Sequence, residues 1–341
     1  MIFYSDRTDR LGARLNSLLN AKRIANAHDA EVKFAWENAS GTVQAENLFA
    51  PTFLKAARIE ALPENLTRLK TKVSLYAPGA SDHVFQTPKP FTNVWVDRPF
   101  GVLKTESEDR FTVLQDLSDL LMNSLIREDV RRTIEKVRVG LPDNFVAVHL
   151  RRGDLKQYLK IDTHLGENFE RFCPIDVADY ALSKSVVPII FTDQVKLIPD
   201  HLQKFLVQEN VDPVHLRKYP KRLVDFIHMA ALSEAKEIVS GKSAFANLAA
   251  VIAGKTPTHP LSYLGAERYF DAFHNANETY FEFSNTQIEA AHREALVACR
   301  RFPTLKSFKT DVRRITKKTY PHLVKPSFLN TSIWHMRRHI K

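Results

Sequence analysis

Two adjacent arginines, Arg151 and Arg152, stand between an apolar run at residues 145–150 and the pair Gly153-Asp154. A guanidinium group stays charged at neutral pH, and its forked donors match the oxygens of a phosphate group. The apolar run predicts a strand buried on both faces, and ligands of parallel sheets bind beyond the carboxyl ends of such strands. We therefore favour an anion-binding role over the alternative, in which an arginine pairs with a carboxylate such as Asp154.

A second candidate for anion binding is Gly241-Lys242-Ser243, which follows a predicted strand at 237–239. A Walker A loop is excluded, because Lys236 occupies the position of that motif's first glycine. Ser243 is expected to cap a helix over 243–253, whose first amide groups and positive dipole end favour an anion. The alternative is an ordinary capped helix packed against the sheet, and the two interpretations are compatible. Two such elements at neighbouring strand ends suggest one diphosphate group.

A third strand end carries Thr192-Asp193, after the apolar run at 186–192. Such a pair usually caps the following helix, and we favour that interpretation for Asp193 over a ligand contact. The sequence has no CxxC, HExxH or GxGxxG motif and no convincing Asp-x-Asp pair. We therefore expect neither a metal site nor a dinucleotide site.

The cysteine content and the first ten residues predict a cytoplasmic protein. Cys173 and Cys299 are too few for a disulfide framework, so we expect two reduced thiols. The first ten residues lack the apolar stretch of a signal peptide, and no apolar run approaches the length of a membrane span.

Positive charge is concentrated at the end of the chain. Of the net charge of +10, residues 300–341 carry +11, from twelve Lys/Arg and Asp311, which leaves −1 on residues 1–299. Leu305, Phe308, Val312 and Ile315 share one face of a predicted helix, and basic residues fill much of its remainder. We expect either that residues 304–341 contact an anionic membrane surface at the inner face, or that the apolar face docks on the protein itself. Nucleic-acid binding is less favoured, because no recognition motif accompanies the charge.

The pattern of the whole chain predicts an α/β fold with parallel sheets. Residues 1–36 have the pattern of a β-α-β unit, and residues 37–140 suggest irregular structure with helices at 109–125 and 127–137. In the second half, apolar runs alternate with helical patterns, which indicates parallel β-α-β crossovers. The predicted strands are 145–150, 186–192, 214–216 and 237–239, and the predicted helices are 177–185, 195–208, 223–235 and 243–253.

Four segments together resemble the GDP-fucose-dependent fucosyltransferases of the α1,2/α1,6/protein-O-fucosyl superfamily, which includes the nodulation-type chito-oligosaccharide enzymes. HLRRGD at 149–154 is similar to the signature motif of that superfamily, and IIFTD at 189–193 is similar to its second motif. The segment 224–250 resembles its third motif, and 9–25 resembles its Gly-rich first loop and helix.

The resemblance implies a GT-B fold, in which two Rossmann-like domains face a cleft. The implied domains are an acceptor-side domain at 1–140, a GDP-sugar donor domain at 141–260, and C-terminal helices with the basic tail at 261–341. The implied reaction is the inverting, metal-independent transfer of fucose from GDP-fucose to a glycan hydroxyl, without a cofactor.

The resemblance also implies roles for individual residues. Arg151 would hold the β-phosphate and stabilise the leaving GDP. His149 would lie at the guanine side, and Asp225 would hydrogen-bond the guanine edge. Ser243, Ala244 and Phe245 would line the diphosphate. The other implied substrate-binding residues are Gly12, Asn16, Arg152 and Asp193.

The general base is left open by the sequence. The α1,6 enzymes have a candidate Glu shortly after the arginine motif, and Leu159 stands at that offset here. Asp154, Glu167 and Glu170 compete for the role, and we take Asp154 and Glu170 with Arg151 as the catalytic candidates.

Two other functions compete with a fucosyltransferase. One is a transferase that uses another GDP-sugar, because the motifs contact the GDP more than the sugar. The other is a non-catalytic protein that binds a membrane surface through its basic tail on a transferase fold. GDP binding separates this last alternative from the two enzymes.

Overall fold

A computed structural model describes residues 1–7, 11–36, 42–70, 79–80, 85, 93–97, 102–151 and 171–275. Four predicted site residues, Arg152, Asp154, Glu167 and Glu170, lie outside these residues, as does the basic segment 304–341. The described chain forms two compact units. The first takes Met1–Asp143, Val207–Ile238 and Ser243–Pro257, and the other described residues form the second. The segments 1–140, 141–260 and 261–341 stay a prediction.

The strands are short segments of two to six residues. They are β1 (Ile2–Asp6), β2 (Glu31–Ala35), β3 (Arg58–Ile59), β4 (Thr67–Lys70), β5 (Gly79–Ala80), β6 (Asn93–Asp97), β7 (Leu103–Lys104), β8 (Phe145–Leu150), β9 (Val187–Thr192) and β10 (Glu237–Ser240).

The helices include one π-helix, Leu120–Leu125, and the 3-10 turns Val195–Leu197, Val207–Glu209, Pro213–His215 and Leu232–Glu234. The α-helices are α1 (Leu11–Ala27), α2 (Ala45–Leu48), α3 (Pro51–Ala57), α4 (Arg110–Asp119), α5 (Glu128–Val139), α6 (Asp176–Ser183), α7 (Asp200–Gln203), α8 (Lys221–Ala231), α9 (Ala244–Ile252), α10 (Pro260–Leu264) and α11 (Ala266–Asn275).

The first unit contains a sheet of order β3-β2-β1-β6-β4, in which all four pairs of neighbouring strands are parallel. A separate parallel pair joins β5 and β7. The predicted β-α-β opening is confirmed by β1, α1 and β2. The apolar side chains of these strands are buried, among them Phe3 on β1 and Val32 and Phe34 on β2. Burial of this kind is expected of strands in a parallel sheet.

The second unit contains a sheet of order β10-β8-β9. The β8–β9 pair is parallel and in register from Phe145 opposite Val187 to Leu150 opposite Thr192. Five of the six residues of β8 are buried, as predicted for a strand covered on both faces. Its core packs around Phe172, Ile190 and Tyr269.

Three predictions about local structure are wrong. Residues 214–216 are not a strand, because Asp212 caps a 3-10 turn by accepting a hydrogen bond from the Val214 amide and Pro213 starts that turn. The predicted helix 195–208 is broken into short pieces by Pro199. Asp193 does not cap a helix, because Gln194 occupies the cap position of the turn Val195–Leu197.

Three strands of the first sheet, β3, β4 and β6, were not predicted. All three fall in the segment 37–140, where the recurrence of Phe and Pro suggested irregular structure. The helices predicted at 109–125 and 127–137 are confirmed by α4 with the π-helix and by α5. No helix within the described ranges is long and apolar enough to cross a membrane.

Candidate functional site

The three strands of the second sheet end together, and polar residues gather at that edge. Leu150 pairs with Thr192, so β8 and β9 end at the same level. The Nδ1 atom of His149 lies 3.2 Å from the Oγ of Ser240, the last residue of β10. Arg151, which is half-buried, therefore leaves the central strand between the ends of its two neighbours. We call His149, Arg151, Ser240 and Gly241 the strand-end region.

The His149 ring is held in one orientation. It stacks on Phe191 of β9, with ring centroids 5.7 Å apart and an interplanar angle of 29°. The Ser240 hydroxyl donates its hydrogen to the Gly241 carbonyl oxygen at 2.7 Å. Because that hydrogen is already used, the hydroxyl oxygen accepts from His149, and Nδ1 of His149 carries the proton.

The end of β10 is fixed by backbone contacts. A Cβ atom on Gly241 would lie 2.2 Å from the carbonyl oxygen of Arg171, so only glycine fits at this position. The Ser240 amide donates to the Thr258 carbonyl at 3.1 Å. The Tyr269 hydroxyl donates to the Phe172 carbonyl at 3.3 Å, and this bond holds the segment Arg171-Phe172, which lies beside Gly241. The end of β10 is therefore positioned mainly by main-chain contacts.

The predicted cap at Ser243 is confirmed in the first unit. Ser243 has extended backbone dihedral angles, and its Oγ accepts a hydrogen bond from the Ala246 amide at 3.4 Å. Ala244 and Phe245 form the first turn of α9 and are half-buried. Amide groups of this turn have no partner within the helix, which is the property that makes such a terminus favourable for an anion.

Gly12 is packed against this same turn. A Cβ atom on Gly12 would lie 2.6 Å from the carbonyl group of Ala244, so the first turn of α1 and the first turn of α9 touch through their backbones. The structure thus brings Gly12 together with Ser243, Ala244 and Phe245 within the first unit. Asn16 lies one turn further along α1 and is buried, and its carbonyl accepts from the Asn20 side chain at 2.7 Å.

Asp225 lies on α8 and is partly exposed. Its Oδ2 is 3.4 Å from an Nη atom of Arg222, one turn earlier. The helix begins at Lys221, so Asp225 is its fifth residue and lies beyond the first turn. A carboxylate stabilises the helix dipole only when it lies within the first turn. Asp225 is therefore not placed to stabilise the start of this helix.

Asp193 follows β9 and is exposed, beside a Thr192 hydroxyl that accepts from the Gln194 amide at 3.2 Å. Asp193 follows the strand β9 at the same edge of the sheet as Arg151, and the ligand contact, which the sequence made the less favoured alternative, stays a prediction. Among the described residues, no group of three or more His, Cys, Asp or Glu side chains is placed to hold a metal ion. Metal independence stays a prediction.

Sequence reasoning missed two buried arginines in the first unit. Arg7 directly follows β1, as Arg151 follows β8, and is 8% exposed. Arg14 is 2% exposed, and its guanidinium lies over the Trp36 ring at 5.1 Å from the centroid. The signal for Arg7 was present, because it also stands at the carboxyl end of a predicted strand. Arg14 gave no such signal, because it falls inside the apolar pattern of a helix.

Comparison with known proteins gives distant structural likenesses. No family model matches the chain, and no curated protein does. The chain is similar to the crystal structure of the fucosyltransferase NodZ from Bradyrhizobium, at 14% identity and a TM-score of 0.44, over 73% of this chain and 92% of that one. It is also similar to NodZ α-1,6-fucosyltransferase soaked with GDP-fucose, at 14% identity and a TM-score of 0.40, over 74% and 92%. A third is POFUT1 in complex with GDP, at 13% identity and a TM-score of 0.39, over 76% and 96%.

Proposed function

We propose that the protein is an inverting, metal-independent glycosyltransferase that transfers fucose from GDP-fucose to a hydroxyl of a glycan acceptor. The observation that supports this most is the strand-end region, where Arg151 leaves the central strand between two neighbours that end at the same level. Such an edge is where open α/β sheets bind ligands, and a guanidinium placed there matches a phosphate group. We also propose the GT-B class for the fold.

Arg151 is the residue proposed to act on the donor. When the bond between C1 of fucose and the phosphate oxygen breaks, negative charge grows on the β-phosphate of GDP. A fixed guanidinium stabilises that charge more in the transition state than in the ground state, which lowers the barrier. In metal-dependent transferases a divalent cation supplies this charge. Arg151 takes that role here.

The acceptor hydroxyl forms its bond to C1 on the face opposite the departing phosphate, and this inverts the configuration. Its proton passes to a carboxylate, for which Asp154, Glu167 and Glu170 are the candidates from the sequence. All three lie outside the described residues.

Asp225 and the first turn of α9, which both belong to the first unit, are proposed to contribute to donor recognition. The carboxylate of Asp225 would accept hydrogen bonds from the N–H groups of the guanine edge, once its contact with Arg222 is exchanged for the base. The first turn of α9, with Ser243, Ala244 and Phe245, offers amide donors and a positive helix end to a diphosphate. His149 is proposed to lie at the guanine side.

Calorimetry with GDP tests the proposal. We expect GDP to bind equally well with and without EDTA, and we expect Asp225→Asn to weaken GDP binding at least about tenfold with no change in Tm. Turnover with a panel of GDP-sugars then identifies the donor, and a glycan screen identifies the acceptor. A protein that binds no GDP would not be a GDP-sugar transferase. Binding abolished by EDTA would contradict the metal-free mechanism.

A further inference from the structure

A polar cleft of about 330 Å³ lies among helices of the first unit, and none of its lining residues belongs to the proposed donor site. Its walls come from α4, the π-helix, α5, the 3-10 turn Leu232–Glu234 and the end of α9. Six charged side chains line it: Asp119, Arg131, Glu135, Arg138, Glu234 and Lys255. We call this feature the charged cleft.

The walls of the charged cleft are joined by side-chain hydrogen bonds to backbone and hydroxyl groups. The Ser118 hydroxyl donates to the Ile252 carbonyl at 2.7 Å and ties α4 to the end of α9. Arg138 donates to the Ser233 hydroxyl at 2.6 Å, and Lys255 donates to the Ala235 carbonyl at 2.7 Å. The shape of the cleft is therefore set before any ligand arrives.

A π-helix forms one wall. Its wider turn is shown by the Ile126 amide, which donates to the Leu121 carbonyl five residues earlier at 3.0 Å. π-helical turns are rare and occur frequently at functional sites, because they cost stability relative to an α-helix. This one places Met122 and Asn123 at the cleft.

Most charges in the cleft are not paired with an opposite charge. Arg138 and Glu234 form the one ion pair among the six that the described residues show, at 3.2 Å. Arg131 donates to the Asn123 amide oxygen at 3.2 Å, and Asp119 accepts from amide groups. Within the described part of the chain, the buried Nε atom of Arg131 has no hydrogen-bond partner, whereas Nε of Arg138 is the atom that lies 3.2 Å from Glu234 in the ion pair. Asp119, Arg131, Glu135 and Lys255 thus line the cleft without an oppositely charged partner among the described residues, and a ligand with hydrogen-bond donors and acceptors would meet them there.

The balance of charges decides which ligand fits. Three cationic and three anionic side chains line the cleft, so it favours neither an anion nor a cation. Its apolar lining is limited to residues such as Met122 and Ile252, and no aromatic ring is among the lining residues, which disfavours a flat apolar ligand. A hydroxyl group can both donate and accept a hydrogen bond. A ligand rich in hydroxyl groups can therefore accept from the cationic side chains of the cleft and donate to its anionic side chains.

We propose that the charged cleft is a binding site for a neutral saccharide, separate from the donor site. Arg131 and Arg138 would donate to its hydroxyl oxygens, and Asp119 and Glu135 would accept from its hydroxyl hydrogens. If the protein is the glycosyltransferase proposed above, the site holds a part of the acceptor glycan that is remote from the reacting hydroxyl. The saccharide site itself does not depend on that function.

Saturation-transfer NMR and calorimetry on the full chain test this proposal, with maltotetraose, cellotetraose and chitotetraose as probes. We expect at least one of them to bind with a Kd of about 1 mM or tighter. Arg131→Gln and Glu135→Gln should each weaken it about tenfold, because each removes directed hydrogen bonds to hydroxyl groups. Glu135 is exposed, so its variant is expected to fold even if Arg131→Gln does not.

Arg132→Gln is the matched control. Arg132 neighbours Arg131 on α5, pairs with Glu128 and does not line the cleft, so its variant should bind the probe as the wild type does. The GDP affinity of all three variants should be unchanged, which separates this test from that of the donor site. The proposal is overturned if no probe binds, if both cleft variants bind like Arg132→Gln, or if inorganic phosphate binds the cleft in preference to every probe.

Discussion

The strand-end region and the charged cleft are both polar, but they are built in different ways. In the strand-end region, the register of the sheet and the backbone contact at Gly241 determine where the residues lie. A small displacement of the main chain would therefore move all of these residues. In the charged cleft, long side chains from three distant segments of the chain face each other, and single hydrogen bonds tie the walls. We therefore expect substitutions that displace the main chain of the strand-end region to cause large losses of stability. Substitutions of single side chains in the charged cleft should cause smaller losses.

The largest effect is expected from Gly241→Ala. The added Cβ would lie 2.2 Å from the Arg171 carbonyl oxygen, and the nearest atoms are main chain, which cannot move aside as a flexible side chain would. Overpacking of this kind costs about 3 kcal/mol or more of stability, and we expect the variant to unfold at much lower urea concentration than the wild type. Urea unfolding followed by circular dichroism measures the loss.

Gly140→Ala is the control for that prediction. Gly140 has right-handed helical dihedral angles at the end of α5, and an added Cβ would have its nearest contact at 3.4 Å. Removing glycine's freedom in the unfolded chain should leave stability unchanged or raise it by about 0.5 kcal/mol. Equal stability of the Gly241 and Gly140 variants would show that the backbone contact at Gly241 does not hold the strand-end region.

The next largest effect is expected on turnover, from Arg151→Ala. Loss of one fixed charge that faces the developing phosphate charge costs about 3 kcal/mol, or roughly a hundredfold in kcat/KM. Arg151→Lys should be nearly as damaging, because an ammonium group lacks the fork that binds two oxygens. Steady-state kinetics with GDP-fucose measures both variants. Full activity of Arg151→Ala would remove Arg151 from the proposed mechanism.

Sequence reasoning reached the strand-end region because its signals are local. Apolar runs mark β8 and β9, and the residues just after a buried strand necessarily meet at one edge of a parallel sheet. The role of Ser243 could also be predicted locally, because a serine directly before a helical pattern is typical of an N-cap. These inferences need only the order of residues along one short segment.

The charged cleft was not predicted, because no local pattern encodes it. Ser118, Arg131 and Lys255 belong to separate segments, and only packing of α4, α5 and α9 brings them to one cleft. The wrong strand at 214–216 has a different cause. Its residues alternate like a strand, but Asp212 and Pro213 impose a capped turn, and this local chemistry outweighs the apolar pattern.

A pH-dependent effect is expected at His228, a buried residue of α8 in the first unit. Burial lowers the pKa of His228 from 6.5 to about 4, because desolvation disfavours the charged ring. Between these pH values the unfolded chain binds a proton that the folded chain does not. The stability contributed by the neutral ring is therefore complete above pH 6.5 and is lost as the pH falls through 4, by about 3 kcal/mol in total.

His228→Leu isolates that contribution. Nε2 of His228 is buried without a hydrogen-bond partner among the described residues, so an apolar side chain of similar size should be tolerated at pH 7.5. Urea unfolding from pH 7.5 to 4 should show the wild type losing stability relative to the variant as the pH falls. Parallel profiles for the two proteins would contradict the pKa shift.

The smallest effect is expected from Ser118→Ala, in the wall of the charged cleft. The Ser118 hydroxyl is buried and donates to the Ile252 carbonyl at 2.7 Å, so its loss leaves one carbonyl lone pair without a donor and should cost about 1 kcal/mol. Ser183→Ala is the matched control, because the Ser183 hydroxyl makes a 2.7 Å bond to the Tyr180 carbonyl at an exposed helix end, where water replaces it. We expect Ser183→Ala to change the free energy of unfolding by less than about 0.5 kcal/mol. A loss for Ser118→Ala as small as that for Ser183→Ala would mean that this bond does not hold the wall, and that the cleft is shaped by helix packing alone.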